Sequence, residues 1–144
     1  VAFVPGGFLD AVAFKYQREC CVLSDRKAFV KLCLQYGYRV HPVYTFGESE
    51  TYRTVTGLRD LRVSIARKNV PMVAFAGWAP IPFLPRPEAR ILTYVGEAIE
   101  FPTIEAPTRE DVDRWHSIYV SKLLELFNKH KVEVGRPDAE LEIL

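Results

Sequence analysis

Apolar residues fall into short blocks and helical stripes, punctuated by proline and glycine. The run Val1-Ala2-Phe3-Val4 predicts a short buried strand, stopped by Pro5-Gly6-Gly7, where proline and paired glycines make a tight turn. A second apolar run, Cys20-Cys21-Val22-Leu23, leads into Ser24-Asp25, which has N-cap chemistry for a helix with inward positions Phe29, Leu32, Cys33 and Tyr36. Gly37 then stands where a left-handed C-terminal cap belongs. Val40 to Phe46 is rich in valine and aromatics and predicts a strand, so strand, helix and strand together make a βαβ unit with a parallel pair and a right-handed crossover. The fold class this predicts is α/β: a mixed, mostly parallel sheet with flanking helices.

Further on, Val55, Leu58, Leu61 and Ile65 recur at helical spacing between Thr54 and Lys68, with Arg59, Arg62, Arg67 and Lys68 on the remaining surface. That basic amphipathic helix suits either a solvated outer face or an anionic membrane surface. Val70 to Pro85 is apolar but carries Pro71, Pro80, Pro82 and Pro85, which predicts a strand near Met72 to Phe75 and then an irregular apolar loop. Burial under a sheet, an acyl-chain passage and a membrane-facing patch are competing readings of Val73 to Leu84. Ile91 to Val95 predicts another strand, ended by Gly96. The last long helix starts at Pro107-Thr108, where Thr108 and Asp111 form a capping box, and runs to about Lys131 with Val112, Trp115, Tyr119, Leu123, Leu126 and Phe127 facing a sheet.

Composition narrows the function classes. The 144 residues are 49% hydrophobic, enough for one domain with a core. Nineteen lysines and arginines nearly balance eighteen aspartates and glutamates, so no overall field favours nucleic acid. Cys20, Cys21 and Cys33 are odd in number, lie in apolar runs and lack C-x-x-C spacing, which reads as reduced core thiols rather than a disulfide or zinc site. No segment has signal-peptide layout or the ~18 consecutive apolar residues of a spanning helix. The chain starts at Val1 in an apolar run, which leads us to expect further sequence upstream. His116 and His130, fourteen residues apart on one helix, stand about 21 Å from each other and cannot share a metal. An α/β-hydrolase is disfavoured because G-x-S-x-G is missing.

Six blocks, in order, carry a resemblance. They are Gly6-Gly7-x-x-Asp10, then Asp25-Arg26-Lys27-Ala28-Phe29-Val30-Lys31-Leu32, then Pro42-Val43-Tyr44-Thr45-Phe46-Gly47-Glu48. Tyr94-Val95-Gly96-Glu97-Ala98-Ile99, Pro107-Thr108-x-Glu110-x-Val112 and Leu126-Phe127-x-x-His130-Lys131 follow. Over essentially its whole length the chain resembles the second half of the type 2 acyl-CoA:diacylglycerol acyltransferases, which include monoacylglycerol acyltransferases. The resemblance implies the C-terminal part of a single acyltransferase-like domain, incomplete at its N-terminal side, in an enzyme that moves a fatty-acyl group from coenzyme A to diacylglycerol. It also implies an endoplasmic-reticulum membrane location, membrane lipid as a partner, and acyl-CoA as co-substrate with no other cofactor. A lipid-droplet location, a homo-oligomer, and monoacylglycerol or a fatty alcohol as acceptor stay open.

The family's His-Pro-His-Gly segment, which supplies the general base, is not found in these residues. His41-Pro42 continues with Val43-Tyr44 instead, and Phe46 takes the acidic place of H-x-x-x-x-D, so His41 reads as a histidine at the start of a buried strand. Gly6 and Gly7 align with the family's Gly-Gly-x-x-Glu block, with Asp10, one methylene shorter, in the acidic position. Glycines there let N–H groups converge on a thioester oxyanion while Asp10 orients a histidine or hydroxyl. The plain structural alternative is a turn with Asp10 as N-cap. Arg26 and Lys27, with Phe29, open a helix where cations oppose the dipole and call for a partner, either a coenzyme A phosphate or nearby Asp25. Phe46, Gly47 and Glu48 follow a strand's carboxyl end, the edge where α/β sheets place ligands. The competing function is a non-catalytic lipid- or acyl-CoA-binding module. The isolated 144 residues are expected to be inactive and poorly soluble, because an incomplete sheet leaves an open edge.

Overall fold

The computed structural model describes residues 2–54, 64–65 and 75–144. In chain order its elements are α1 (Phe8–Ala13), β1 (Glu19–Cys21), α2 (Ala28–Tyr36), β2 (Arg39–Val40), β3 (Val43–Phe46), α3 (Glu48–Thr51), β4 (Arg53–Thr54), β5 (Phe75–Ala76), β6 (Leu92–Val95), β7 (Ile99–Glu100), α4 (Arg109–His130) and β8 (Leu141–Ile143). Contacts divide the chain into two compact units. Unit 1 comprises Val1–Pro5, Leu23–Tyr44 and Thr93–Pro137, and unit 2 comprises Gly6–Val22, Thr45–Leu92 and Asp138–Leu144. The basic helix predicted from Thr54 to Lys68, and the strand residues expected at 72–74, lie outside the described residues or nearly so.

Unit 1 is built on α4. Its start is fixed by the capping box: the Thr108 hydroxyl accepts the Asp111 N–H at 3.1 Å while the Asp111 carboxylate accepts the Thr108 N–H at 3.0 Å. Lys129 and His130 in its last turn complement the helix dipole. Leu123, Leu126 and Phe127 are buried as predicted, but Val112, Trp115 and Tyr119 are half-buried. This helix packs on α2, with the Phe29 and Tyr119 rings edge to face at 5.0 Å, and also on the β3–β6 pair, where Tyr94 stacks on His130 at 4.0 Å. Trp115 rests on Phe101 and Tyr44 on Phe127, each pair 5.1 Å apart. His116 is part of this core. Its Nε2–H donates to the Leu23 carbonyl at 2.9 Å, since a carbonyl can only accept.

Helix α2 ends at Gly37 in the left-handed conformation, as predicted. Its start differs. Residues 24–25 form a turn, closed by the Arg26 N–H on the Leu23 carbonyl, and Lys27 becomes the N-cap without a side-chain cap bond. Its face differs too: Phe29, Val30, Cys33 and Leu34 are buried, whereas the predicted Leu32 and Tyr36 are 42% and 65% exposed. Apolar residues occupy adjoining rows of this helix, so the sequence offers two stripes, and packing against α4 selects one.

The mixture of helices and strands agrees with an α/β chain, but the mostly parallel sheet is not assembled among the described residues. The strands form two-stranded pairs. β1 runs parallel to β8 with Glu19 opposite Leu141 and Cys21 opposite Ile143, while β2–β7 and β4–β5 are antiparallel. The expected βαβ pair of 20–23 with 40–46 is therefore replaced. One cause is Pro42, which has no N–H and splits the second predicted strand into β2 and β3; its carbonyl instead accepts the Gly96 N–H at 2.8 Å. β8, with Leu141 and Ile143 alternating about Glu142, escaped the sequence reading and takes the parallel place beside β1. Residues 2–4 are not a strand. They are exposed, with Val4 at 82%, and the ring of Phe3 packs on Phe29 at 6.3 Å.

In unit 2, Val12, Ala13, Phe46 and Leu141 are buried. The Thr54 hydroxyl donates to the Phe14 carbonyl at 3.2 Å, and the Leu144 N–H to the Cys21 carbonyl at 2.9 Å. The predicted strand near Phe75 is present as β5 and the apolar loop after it is present, but residues 78–85 are exposed, which overturns burial under a sheet for that part. Among the described residues, no helix is long and apolar enough to cross a membrane.

Candidate active site

Unit 2 gathers carboxylates from three separate stretches of chain. Asp10 lies in α1, whose N-cap is Gly7 at φ 58°, so Asp10 is not the cap that its plain reading suggested. Its Oδ1 accepts the Val22 N–H at 2.6 Å, which fastens α1 to the end of β1. The same carboxylate folds back on Gly6, where any Cβ would collide with it. Gly47 ends β3 at φ 93°, its Cα pressed against the Arg90 carbonyl, and so starts α3 where a side chain could not be accommodated. That turn presents Glu48 and Ser49.

Glu19, at the head of β1, is buried, and its carboxylate accepts a hydrogen bond from the Ser49 hydroxyl at 3.0 Å. The Ser49 carbonyl in turn accepts the N–H of Gln17, a non-glycine residue in the left-handed region at φ 58°. Partial burial, then Glu19, then Asp10, push the Glu48 carboxyl above its ordinary value. Burial also raises the neighbouring Cys20 thiol and pushes the Cys21 thiol up to about 12, with Asp10 adding to both, so neither is a thiolate nucleophile at neutral pH. A field this negative favours a bound proton, an imidazolium or a hydroxyl hydrogen. Sequence reasoning missed Glu19 and Ser49. The available signal was a lone carboxylate at the head of the Cys20 to Leu23 apolar run.

The other site residues read from the sequence belong to unit 1. Lys27 meets Asp113 of α4 at 2.7 Å, so the compensating partner expected for a cation at this helix start is a carboxylate of the chain itself. Lys27's hydrogen bond holds the Asp113 carboxyl below its usual range, and Arg109 lies 4.0 Å from the same carboxylate. Asp25, Lys27, Lys31, Thr108, Arg109 and Asp113 line an open cleft of about 400 Å³. Phe29 is buried among Phe3, His116 and Tyr119, and Arg26 is half-buried. His41 is exposed, not the start of a buried strand, and its Nδ1–H donates to the Gly96 carbonyl at 2.9 Å. Thus Gly6, Gly7, Asp10, Phe46, Gly47 and Glu48 share unit 2, with Phe46 buried in its core, while Arg26, Lys27 and Phe29 do not.

The family model for diacylglycerol acyltransferases matches residues 1–144. The chain belongs to that family. It is 36% identical to diacylglycerol O-acyltransferase 2 of Xenopus laevis, over 97% of this chain and 42% of that protein. It is 33% identical to the Homo sapiens protein of the same name, over 98% of this chain and 39% of that one. Diacylglycerol O-acyltransferase 2-like protein 6 of Homo sapiens is 32% identical over 97% of the chain and 45% of its own length. The chain thus spans less than half the length of these relatives. No solved structure matches it. In this member of the family the Gly-Gly-x-x-acid and Phe-Gly-Glu blocks, more than thirty residues apart in sequence, share one unit with the buried Glu19.

Proposed function

We propose that the protein to which these residues belong transfers a fatty-acyl group from acyl-CoA to the free hydroxyl of diacylglycerol, forming triacylglycerol at the endoplasmic-reticulum membrane. The observation that carries this reading is that Gly6, Asp10, Gly47 and Glu48 share one unit with a buried Glu19 hydrogen-bonded by Ser49, in a chain of this family. The acceptor oxygen attacks the thioester carbonyl, its proton passes to a general base, and the carbon–sulfur bond breaks to release coenzyme A, whose thiolate takes up a proton. In this reading Asp10 or Glu48 orients the general base or the acceptor hydroxyl. Once Asp10 is paired with the cationic base, the Gly6-Gly7 backbone offers N–H groups to the oxyanion that forms. Arg26 and Lys27 are assigned to the phosphates of coenzyme A, with Lys27 exchanging Asp113 for phosphate.

The test is Asp10→Ala in the full-length protein, assayed with radiolabelled acyl-CoA and diacylglycerol and normalised to folded protein. Turnover should fall at least tenfold with expression little changed. Equal turnover per folded molecule removes Asp10 from the site, and binding of acyl-CoA without turnover by the unmodified protein replaces the enzyme with a binding module.

A further inference from the structure

The acyltransfer reading leaves unused the apolar loop of unit 2. No charged residue occurs between Lys68 and Arg86, and the described part of that stretch turns its side chains outward. Phe75 is 51% exposed, Ile81 44%, Leu84 47% and Phe83 78%, with Trp78 at 40% among them. A run of large apolar side chains on the outside of a compact unit marks an interaction surface.

The loop's backbone says what kind. Residues 77–85 hold six N–H groups, because Pro80, Pro82 and Pro85 have none, and four of the six donate inside the loop. Gly77 donates to the Pro82 carbonyl and Trp78 to the Leu84 carbonyl, both at 2.9 Å, while Ile81 reaches Trp78 at 3.1 Å and Leu84 reaches Ile81 at 3.0 Å. The Tyr52 hydroxyl donates to the Phe83 carbonyl at 3.2 Å, and Gly77 packs so closely on the Leu84 carbonyl that a side chain there would clash. Such closure has little value in water, which satisfies any loop, and withholds the backbone from a protein partner that would add a strand. It is what a medium poor in donors and acceptors demands.

The base of the loop carries the complementary charge. Arg53 and Arg86 lie over the Tyr16 ring at 5.6 and 5.5 Å, and Arg86 also donates to the Tyr16 hydroxyl at 2.6 Å. Arg90 is exposed, and Glu88, 3.5 Å from Arg86, is the acid that offsets this group. We propose that residues 77–85 insert into the interfacial layer of a phospholipid bilayer, with Trp78, Ile81, Phe83 and Leu84 among the upper acyl chains and the arginines against anionic headgroups. This stands apart from the acyltransfer reading and survives its failure.

The experiment uses the full 144-residue chain fused to a soluble, tryptophan-free carrier, with Trp115→Phe, which leaves Trp78 as its only tryptophan. It is titrated with vesicles of phosphatidylcholine, with and without phosphatidylserine, some carrying brominated acyl chains. Trp78 emission should shift to the blue and be quenched by bromine near the glycerol end of the chains. Phe83→Ser with Leu84→Ser should weaken partitioning about tenfold or more with an unchanged circular dichroism spectrum, since both side chains are exposed. Arg90→Gln should weaken it about fivefold on phosphatidylserine vesicles and leave pure phosphatidylcholine unaffected. Absence of binding, binding without a Trp78 response, an undiminished double-serine variant, or a blue shift that depends on protein concentration without vesicles overturns the proposal.

Discussion

Unit 1 is built on the long helices α2 and α4, whereas the described part of unit 2 has only the short helices α1 and α3 among short strands, and the two solve opposite problems. In unit 1 the buried polar groups are few and satisfied: His116 donates to the Leu23 carbonyl, and rings of Phe29, Tyr44, Phe101 and Phe127 fill the space between helices. In unit 2, Gln17 takes a left-handed backbone angle although it is not a glycine, Glu19 is buried, and Glu48 is held beside other carboxylates. Those features cost stability, and they share a unit with two of the sequences that carry the family resemblance, Gly6-Gly7-x-x-Asp10 and Phe46-Gly47-Glu48. The contrast teaches that in this chain, departures from good packing single out a candidate site that the apolar pattern does not mark.

Four substitutions press on that contrast, the strongest first. Phe127→Ala empties a site that is fully buried against Tyr44 and should cost about 3–5 kcal/mol in urea denaturation. A loss below about 1 kcal/mol would mean that unit 1 is not held by its aromatic core. Ser49→Ala removes a hydrogen bond to the buried Glu19 carboxylate and should cost about 2 kcal/mol, seen as faster amide exchange in 17–22. Thr108→Ala removes the N-cap of α4 and should cost about 1 kcal/mol, with loss of helix confined by circular dichroism and amide exchange to its first turn.

The smallest effect has the most informative sign. The Glu48 carboxyl is raised from its ordinary 4.5, so its contribution favours the fold below that pH and is lost as pH rises through the higher folded-state value. Glu48→Gln keeps the uncharged form and should match the parent in acid but exceed it at neutral pH, while turnover of the full-length protein falls. Solvent at the exposed edge of Glu48 keeps the gain small. A variant less stable than the parent at neutral pH would show that Glu48 supports unit 2 rather than burdening it.

Legibility followed the range of the interactions. The α4 capping box and its Leu123, Leu126 and Phe127 stripe, the Gly37 cap, and the turn at Gly47 were all readable, because each depends on residues within a few positions of one another. The partner of β1 was not, since parallel pairing joins segments more than a hundred residues apart and no local pattern chooses among the possible strands. The buried face of α2 was half readable for the same reason: the sequence limits it to apolar rows, and the facing helix picks one.

For the candidate site, the sequence by itself determined which residues are candidates: Gly6, Gly7, Asp10, Gly47 and Glu48 stand in ordered blocks that resemble the family. It also determined that a loop from Gly77 to Pro85 would be apolar, uncharged and broken by prolines. Only the tertiary structure decided that Glu19 and Ser49 join the carboxylates, that Lys27 already has Asp113 as its partner, and that the loop faces outward with its backbone closed on itself. The physical reason is that charge and burial act through space. A carboxylate's proton affinity and an apolar side chain's cost depend on what the fold brings within a few ångströms, and linear order does not record that.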